Sequence, residues 1–269
     1  RGRMLEVKNL LPKQIRAACR KGSFSGPTSG LARGYVQANM VILPSDYAKE
    51  FSVFCEKNPQ PCPVLEVLEP GDPEVKKIAP NSDVRTDLPR YRIFRNGLKE
   101  KDVSNITELW SADLVTFLLG CSFIAEDALI KEGFLLPHIK ETGFVPMYKT
   151  SLTCNSAGRF RGEMVVSMRP FTPKEVEKVT EITKNYPMAH GAPVHVGDPS
   201  NIGIKDIHHP EFGRPVAMQN EQVPVFWACG VTPQEAIANA GPPIAITHAP
   251  GHMFIADITS ESTRINSSH

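Results

Sequence analysis

Apolar runs of strand length alternate with stretches whose apolar positions recur every three or four residues, and the alternation persists over most of the chain. Such alternation predicts an α/β fold in layers. A helix is expected over Leu11–Lys21, a strand over Tyr35–Leu43, a helix over Asp46–Glu56 capped by Ser45, and a strand over Val64–Leu68. Arg90–Arg95 followed by Asn96 and Gly97 reads as a hairpin, because a type I′ turn needs positive φ at both central positions and this pair tolerates it. Leu114–Leu119 reads as one apolar helix and Phe123–Glu132 as a second, ended by Gly133.

Two segments echo one another: Met164–Arg169 leads into Thr172, Pro173 and Glu175, and Val223–Ala228 leads into Thr232, Pro233 and Glu235. In each, Thr can cap a helix, Pro fills the first helical position, and Glu can close a capping box. After the first, Val176, Val179 and Ile182 share one helical face. The expected architecture is therefore a three-layer lobe with a mixed sheet over residues 1–144 and 191–262. A smaller two-layer α/β lobe over 145–190 is inserted into it, and 263–269 form a tail outside the fold.

Charge narrows the partners. Among 269 residues, 30 Lys and Arg face 29 Asp and Glu, which argues against a nucleic-acid binder relying on phosphate contacts. The longest apolar stretch, Leu114–Ala125, is too short and too interrupted to span a bilayer, so no membrane partner is expected. The 24 prolines are scattered singly and punctuate elements. Six cysteines form no CxxC pair and no zinc spacing, so reduced thiols and a cytoplasmic location are expected, with the mitochondrial matrix as the alternative. No leader precedes Arg1, so the start is expected to be missing or processed. A homo-oligomer is compatible with this composition.

Candidate chemistry gathers where apolar runs end in polar turns. Gly120, Cys121 and Ser122 precede a helix, so free N–H groups and a dipole end could seat a substrate carboxylate and lower the thiol pKa. The alternative is that Ser122 caps and Cys121 packs. His195 with Asp198 could form a base and its orienting carboxylate, with Lys205 nearby; a buried His bonded to a turn Asp is the alternative. Arg169 could grip a carboxylate bidentately, or serve a surface salt bridge. His248 and His252 could join His195 and Asp198 around a divalent metal, a minor reading because the intervening Pro250 and Gly251 forbid helical ligand spacing. No cofactor is expected. Phe226 and Trp227 more naturally fill a core.

Several ordered motifs are familiar: Gly26–Ala32, Gly34–Asn39, Arg85–Tyr91, Phe117–Phe123, Val166–Pro170, Gly191–Pro199, Pro224–Gln234 and Thr247–His252. Over about Pro12 to Asp257 the chain resembles the D-glutamate cyclase family, in its single-domain bacterial branch of hydro-lyases. The resemblance implies two intertwined α/β lobes and a small amino- or hydroxy-acid substrate. It also implies dehydration of D-glutamate to 5-oxo-D-proline. The expected catalytic residues are then Cys121, Ser122, His195 and Asp198. Arg169 and Lys205, joined by Asn39, Cys154 and His248, would bind substrate. A hydro-lyase for another hydroxy-carboxylate and a non-catalytic small-acid binder are the alternatives.

Overall fold

The computed structural model describes residues 10–141 and 144–265, and for residues 140 and 141 the backbone alone. Eleven strands run in chain order as β1 (Tyr35–Pro44), β2 (Val64–Val67), β3 (Tyr91–Arg95), β4 (Leu98–Val103), β5 (Leu114–Leu119), β6 (Met147–Thr153), β7 (Glu163–Phe171), β8 (His195–Val196), β9 (Val223–Ala228), β10 (Ala245–His248) and β11 (Phe254–Thr259). The α-helices are α1 (Pro12–Arg20), α2 (Ser45–Lys57), α3 (Phe123–Lys131), α4 (Pro137–Glu141), α5 (Pro173–Lys184) and α6 (Thr232–Ala240).

The strands form two sheets. One has seven strands in the order β2-β5-β1-β10-β3-β4 with β11 also paired to β1; the other has four in the order β6-β7-β9-β8. Helix and strand are combined as the pattern predicts, but every pairing among the described strands is antiparallel, which corrects the expected mixed sheet. The physical reason lies in the connections. Parallel neighbours need a strand-helix-strand crossover within one sheet, whereas here two helices carry the chain between sheets. After β5 the chain passes through α3 to β6 in the small sheet, and after β9 it returns through α6 to β10 in the large one. The small sheet draws β8 and β9 from beyond residue 190.

β1 is buried along nearly its whole length because both faces are covered. Its Ala38, Met40 and Ile42 pack with Tyr91, Ile93, Leu118 and Phe254, while Val41 and Leu43 face α2 and α6 through Phe51, Phe54 and Ile237. Phe51 meets Phe117 edge to face at 4.9 Å. Burial of each such ring stabilises this layer by about 1.5–3 kcal/mol.

Leu114–Leu119 is the strand β5, buried at all six positions, and not the predicted helix. With both sheet faces covered, five of the six positions are apolar, Thr116 being the exception, and no clear period survives; only the run's shortness speaks for a strand. Asn96 and Gly97 adopt φ 49° and 79°, as the hairpin requires. Thr172 and Glu175 close the expected capping box, with the Thr172 N–H donating to the Glu175 carboxylate at 2.8 Å. The echoed Thr232 does not cap. It lies inside α6, where its hydroxyl accepts from the Val165 N–H at 3.0 Å, because the turn before α6 starts the helix one residue earlier. Ser45 likewise begins α2 and makes no cap bond.

Candidate active site

Both crossings between the sheets carry a cysteine at a strand-to-helix turn: Gly120, Cys121 and Ser122 between β5 and α3, and Cys229, Gly230 and Val231 between β9 and α6. These turns face a common cavity of about 220 Å3. Its polar wall includes Cys121, Ser122, Cys229, Asn39, His190, His248 and Arg92, with Ser29 and Gln234; Phe123, Met147, Phe212 and Met253 make much of the rest. Close backbone approach builds this corner. A Cβ on Gly120 would lie 1.7 Å from the Met188 carbonyl oxygen, and one on Gly230 would lie 2.2 Å from Asn39 Nδ2. Glycine is therefore required at both turns.

Burial pushes the Cys121 thiol up to about 12, outweighing the Phe123 N–H that would lower it. Cys229 is also raised by burial, against bonds from the Val231 and Gly230 amides. The expectation of a depressed thiol pKa at this helix end is thus corrected: desolvation exceeds the dipole, and both groups remain thiols. Ser122 makes no cap bond. Its hydroxyl accepts from Arg169 Nη2 at 3.0 Å, leaving its own proton to donate elsewhere.

Arg169 is 3% exposed and stands on β7. Its guanidinium is already engaged by Glu126, by Ser122 and, at 3.1 Å, by Ser167 Oγ. It is neither a surface salt bridge nor an open carboxylate fork. Burial alone would raise the Glu126 carboxyl; Arg169, and then His138 at 3.0 Å, more than offset this and hold it down to about 2. This buried charged pair fixes the orientation of the Ser122 side chain.

His190, 1% exposed, has φ 72°, a left-handed backbone uncommon outside glycine. Its Nδ1 faces the Gln60 carbonyl oxygen at 2.8 Å, so Nδ1 carries the proton and Nε2 is left as an acceptor. Burial lowers its pKa to about 4. His248 is likewise pushed down to about 4 by burial. Asn39 Nδ2 donates to the Gly120 carbonyl at 2.8 Å, which turns its Oδ1 toward His248 Nε2 at 3.0 Å, while His248 Nδ1 faces the Ala249 carbonyl oxygen at 2.8 Å. At neutral pH both rings are uncharged.

Of the residues expected from sequence, the cavity brings together Asn39, Cys121, Ser122 and His248, with Arg169 behind Ser122. It does not bring His195, Asp198, Lys205 or Cys154. His195 Nε2 bonds the Asp198 backbone oxygen at 2.7 Å, while the Asp198 carboxylate accepts from the Ser200 N–H. The His195 ring lies 5.8 Å from Phe226, on the sheet face opposite Arg169 and Trp227. Lys205 is exposed, and Cys154 is buried with Cys55 and Cys62 near Phe51 and Phe160. His252 Nδ1 faces the Pro250 carbonyl at 2.8 Å. Among the described residues, no three or more His, Cys, Asp or Glu side chains converge as metal ligands.

Sequence reasoning passed over His190, Cys229 and Arg92. Two signals were present: His190 directly precedes Gly191, and Cys229-Gly230 repeats the pairing of a thiol with glycine seen at Gly120-Cys121.

Residues 115–257 match the family model described as D-glutamate cyclase. A protein of Geobacillus kaustophilus named "Putative hydro-lyase" is 52% identical over 93% of this chain and 95% of its own. A Bacillus subtilis protein with a name of the same form is 49% identical over 95% of this chain and 100% of its own. A nitrogen repressor-like protein of Methanococcus jannaschii covers 87% of this chain and 91% of its own at 11% identity, with a TM-score of 0.38, too low to inform function. No described helix is long and apolar enough to cross a membrane. On the family match and the near-complete coverage of these relatives, the chain belongs to the D-glutamate cyclase family.

Proposed function

We propose that this protein is a hydro-lyase that closes D-glutamate to 5-oxo-D-proline and water in the cavity between the two sheets. The observation that carries the reading is the electrostatic character of that cavity: two neutral histidines, two protonated thiols, no lining carboxylate and one arginine among the described residues. Glutamate in water holds an ammonium and a γ-carboxylate, which do not react with each other. A poorly hydrated site disfavours separated charges. Passing one proton from the ammonium to the γ-carboxylate yields a free amine and a carboxylic acid, the pair that condenses.

His190 is suited to move that proton. Its Nδ1–H is held by the Gln60 carbonyl and its Nε2 lone pair is available, so it can take a proton from the ammonium and deliver it to the carboxylate. The amine nitrogen then attacks the γ-carbon. Ser122, accepting from Arg169, donates its proton toward the oxyanion of the tetrahedral intermediate. Expulsion of hydroxide with the proton lost by the amine gives water and the lactam. The sum is one substrate to one product and one water, with no net proton change.

The protonated state of Cys121 argues against a thioester route, since the thiolate is the nucleophile. Incubation with D- and L-glutamate, followed by chiral chromatography of 5-oxoproline, tests the proposal. The D-product should accumulate. Ligand-dependent stabilisation without any product would instead support a non-catalytic binder.

A further inference from the structure

We propose that Arg92 is the carboxylate anchor of this cavity and selects ligands bearing a single net negative charge. Arg92 stands on β3, opposite Asp102 on β4, and lines the cavity beside His248. Asp102 engages one edge of the guanidinium, accepting from Nε at 2.9 Å and from Nη2 at 3.0 Å. The remaining Nη1 has no hydrogen-bond partner among the described residues. A guanidinium held in this way keeps a fixed plane and retains N–H donors for a second carboxylate.

No Asp, Glu or Lys lines the cavity among the described residues, so Arg92, its other edge held by Asp102, is the one permanently charged side chain of the lining. A single carboxylate can accept from the open Nη1 edge that Asp102 leaves free. A dianion would leave a second carboxylate against Phe123, Phe212 and Met253, and a neutral amide would give the open Nη1 edge an uncharged acceptor in place of a charge-assisted bond. An ω-carboxy amino acid satisfies the rule, because its ammonium and second carboxylate can cancel by proton transfer. A hydroxy-dicarboxylate does not. Arg92 therefore sets which acids enter, and Arg169, already engaged, sets the donor that faces them. The inference rests on the cyclase reading only for the identity of the acid.

The test is calorimetric titration of the full chain with 5-oxo-D-proline, its primary amide, and glutarate. Wild type should bind the acid at least about tenfold more tightly than either analogue, a difference readily produced by one carboxylate contact. Arg92→Gln should lose that preference and leave amide binding within about twofold, while Arg92→Lys should retain a weakened preference. The lysine variant also covers the case in which Arg92→Gln fails to fold. Preference for the acid surviving in Arg92→Gln, or absent from wild type, overturns the anchor. Turnover of D-glutamate is measured separately. Product formed with Arg92-independent binding removes the anchor alone; Arg92-dependent binding without product removes the cyclase reading alone.

Discussion

His190 and His195 are five residues apart and live in opposite surroundings. His190 is buried at the meeting of both sheets, its ring neutral and tied through Nδ1 to a backbone carbonyl. His195 lies on a two-residue edge strand, partly exposed, with Nε2 committed to the Asp198 backbone oxygen. The histidine with a carboxylate three residues away resembles a catalytic dyad on paper, yet the one without a nearby acid faces the cavity. What distinguishes them is which sheet face the chain turns toward, a tertiary property that no local motif encodes.

Four changes sharpen or break this contrast. Arg169→Met leaves Glu126 buried without its main partner and should destabilise by about 3–5 kcal/mol, read by denaturant unfolding. A similar substitution at Lys205, on the His195 side, should stay within about 0.5 kcal/mol. The second concerns pH. His190 and His248 have folded pKa values near 4, below the ordinary 6.5, so the unfolded chain binds more protons between those limits. Stability is then fully present above about pH 6.5 and falls as pH drops toward 4, by on the order of 3 kcal/mol for each ring. Glu126, held near 2, extends the loss below about pH 4.5. Replacing His190 by Asn, which tolerates the left-handed backbone, should flatten the higher part of that slope; replacing His195 should not. Third, Ser122→Ala should lower kcat by about 10- to 100-fold with little change in KM, since it removes a donor used in the transition state. Smallest of all, Asp198→Asn should leave kcat within about twofold, because its carboxylate only caps the Ser200 turn.

Much of the scaffold was legible. The Asn96-Gly97 hairpin and the Thr172 capping box follow from local chemistry, and each formed as read. β5 differs from the expected helix because six buried residues, all apolar but Thr116, carry no clear period. The Thr232 echo failed because Cys229 and Gly230 begin their turn early and give the hydroxyl a new partner on β7. In the cavity, Cys121, Ser122 and His248 lie where strands end and Asn39 lies within β1, all inside motifs legible in the sequence. His190 was not legible in this way, because its place depends on a left-handed turn and on Gln60, 130 residues away in sequence. The thiol pKa was misjudged because the helix end is visible in sequence and the desolvation around it is not.

The most direct measurement is the rate of 5-oxoproline formation by two variants side by side, His190→Asn and His195→Gln. Loss of a proton shuttle typically costs about 10²- to 10⁴-fold in kcat, and the first variant should fall in that range while the second keeps nearly the wild-type rate. The reverse order, with His195→Gln inactive and His190→Asn unimpaired, would contradict the placement of the chemistry in the cavity between the sheets.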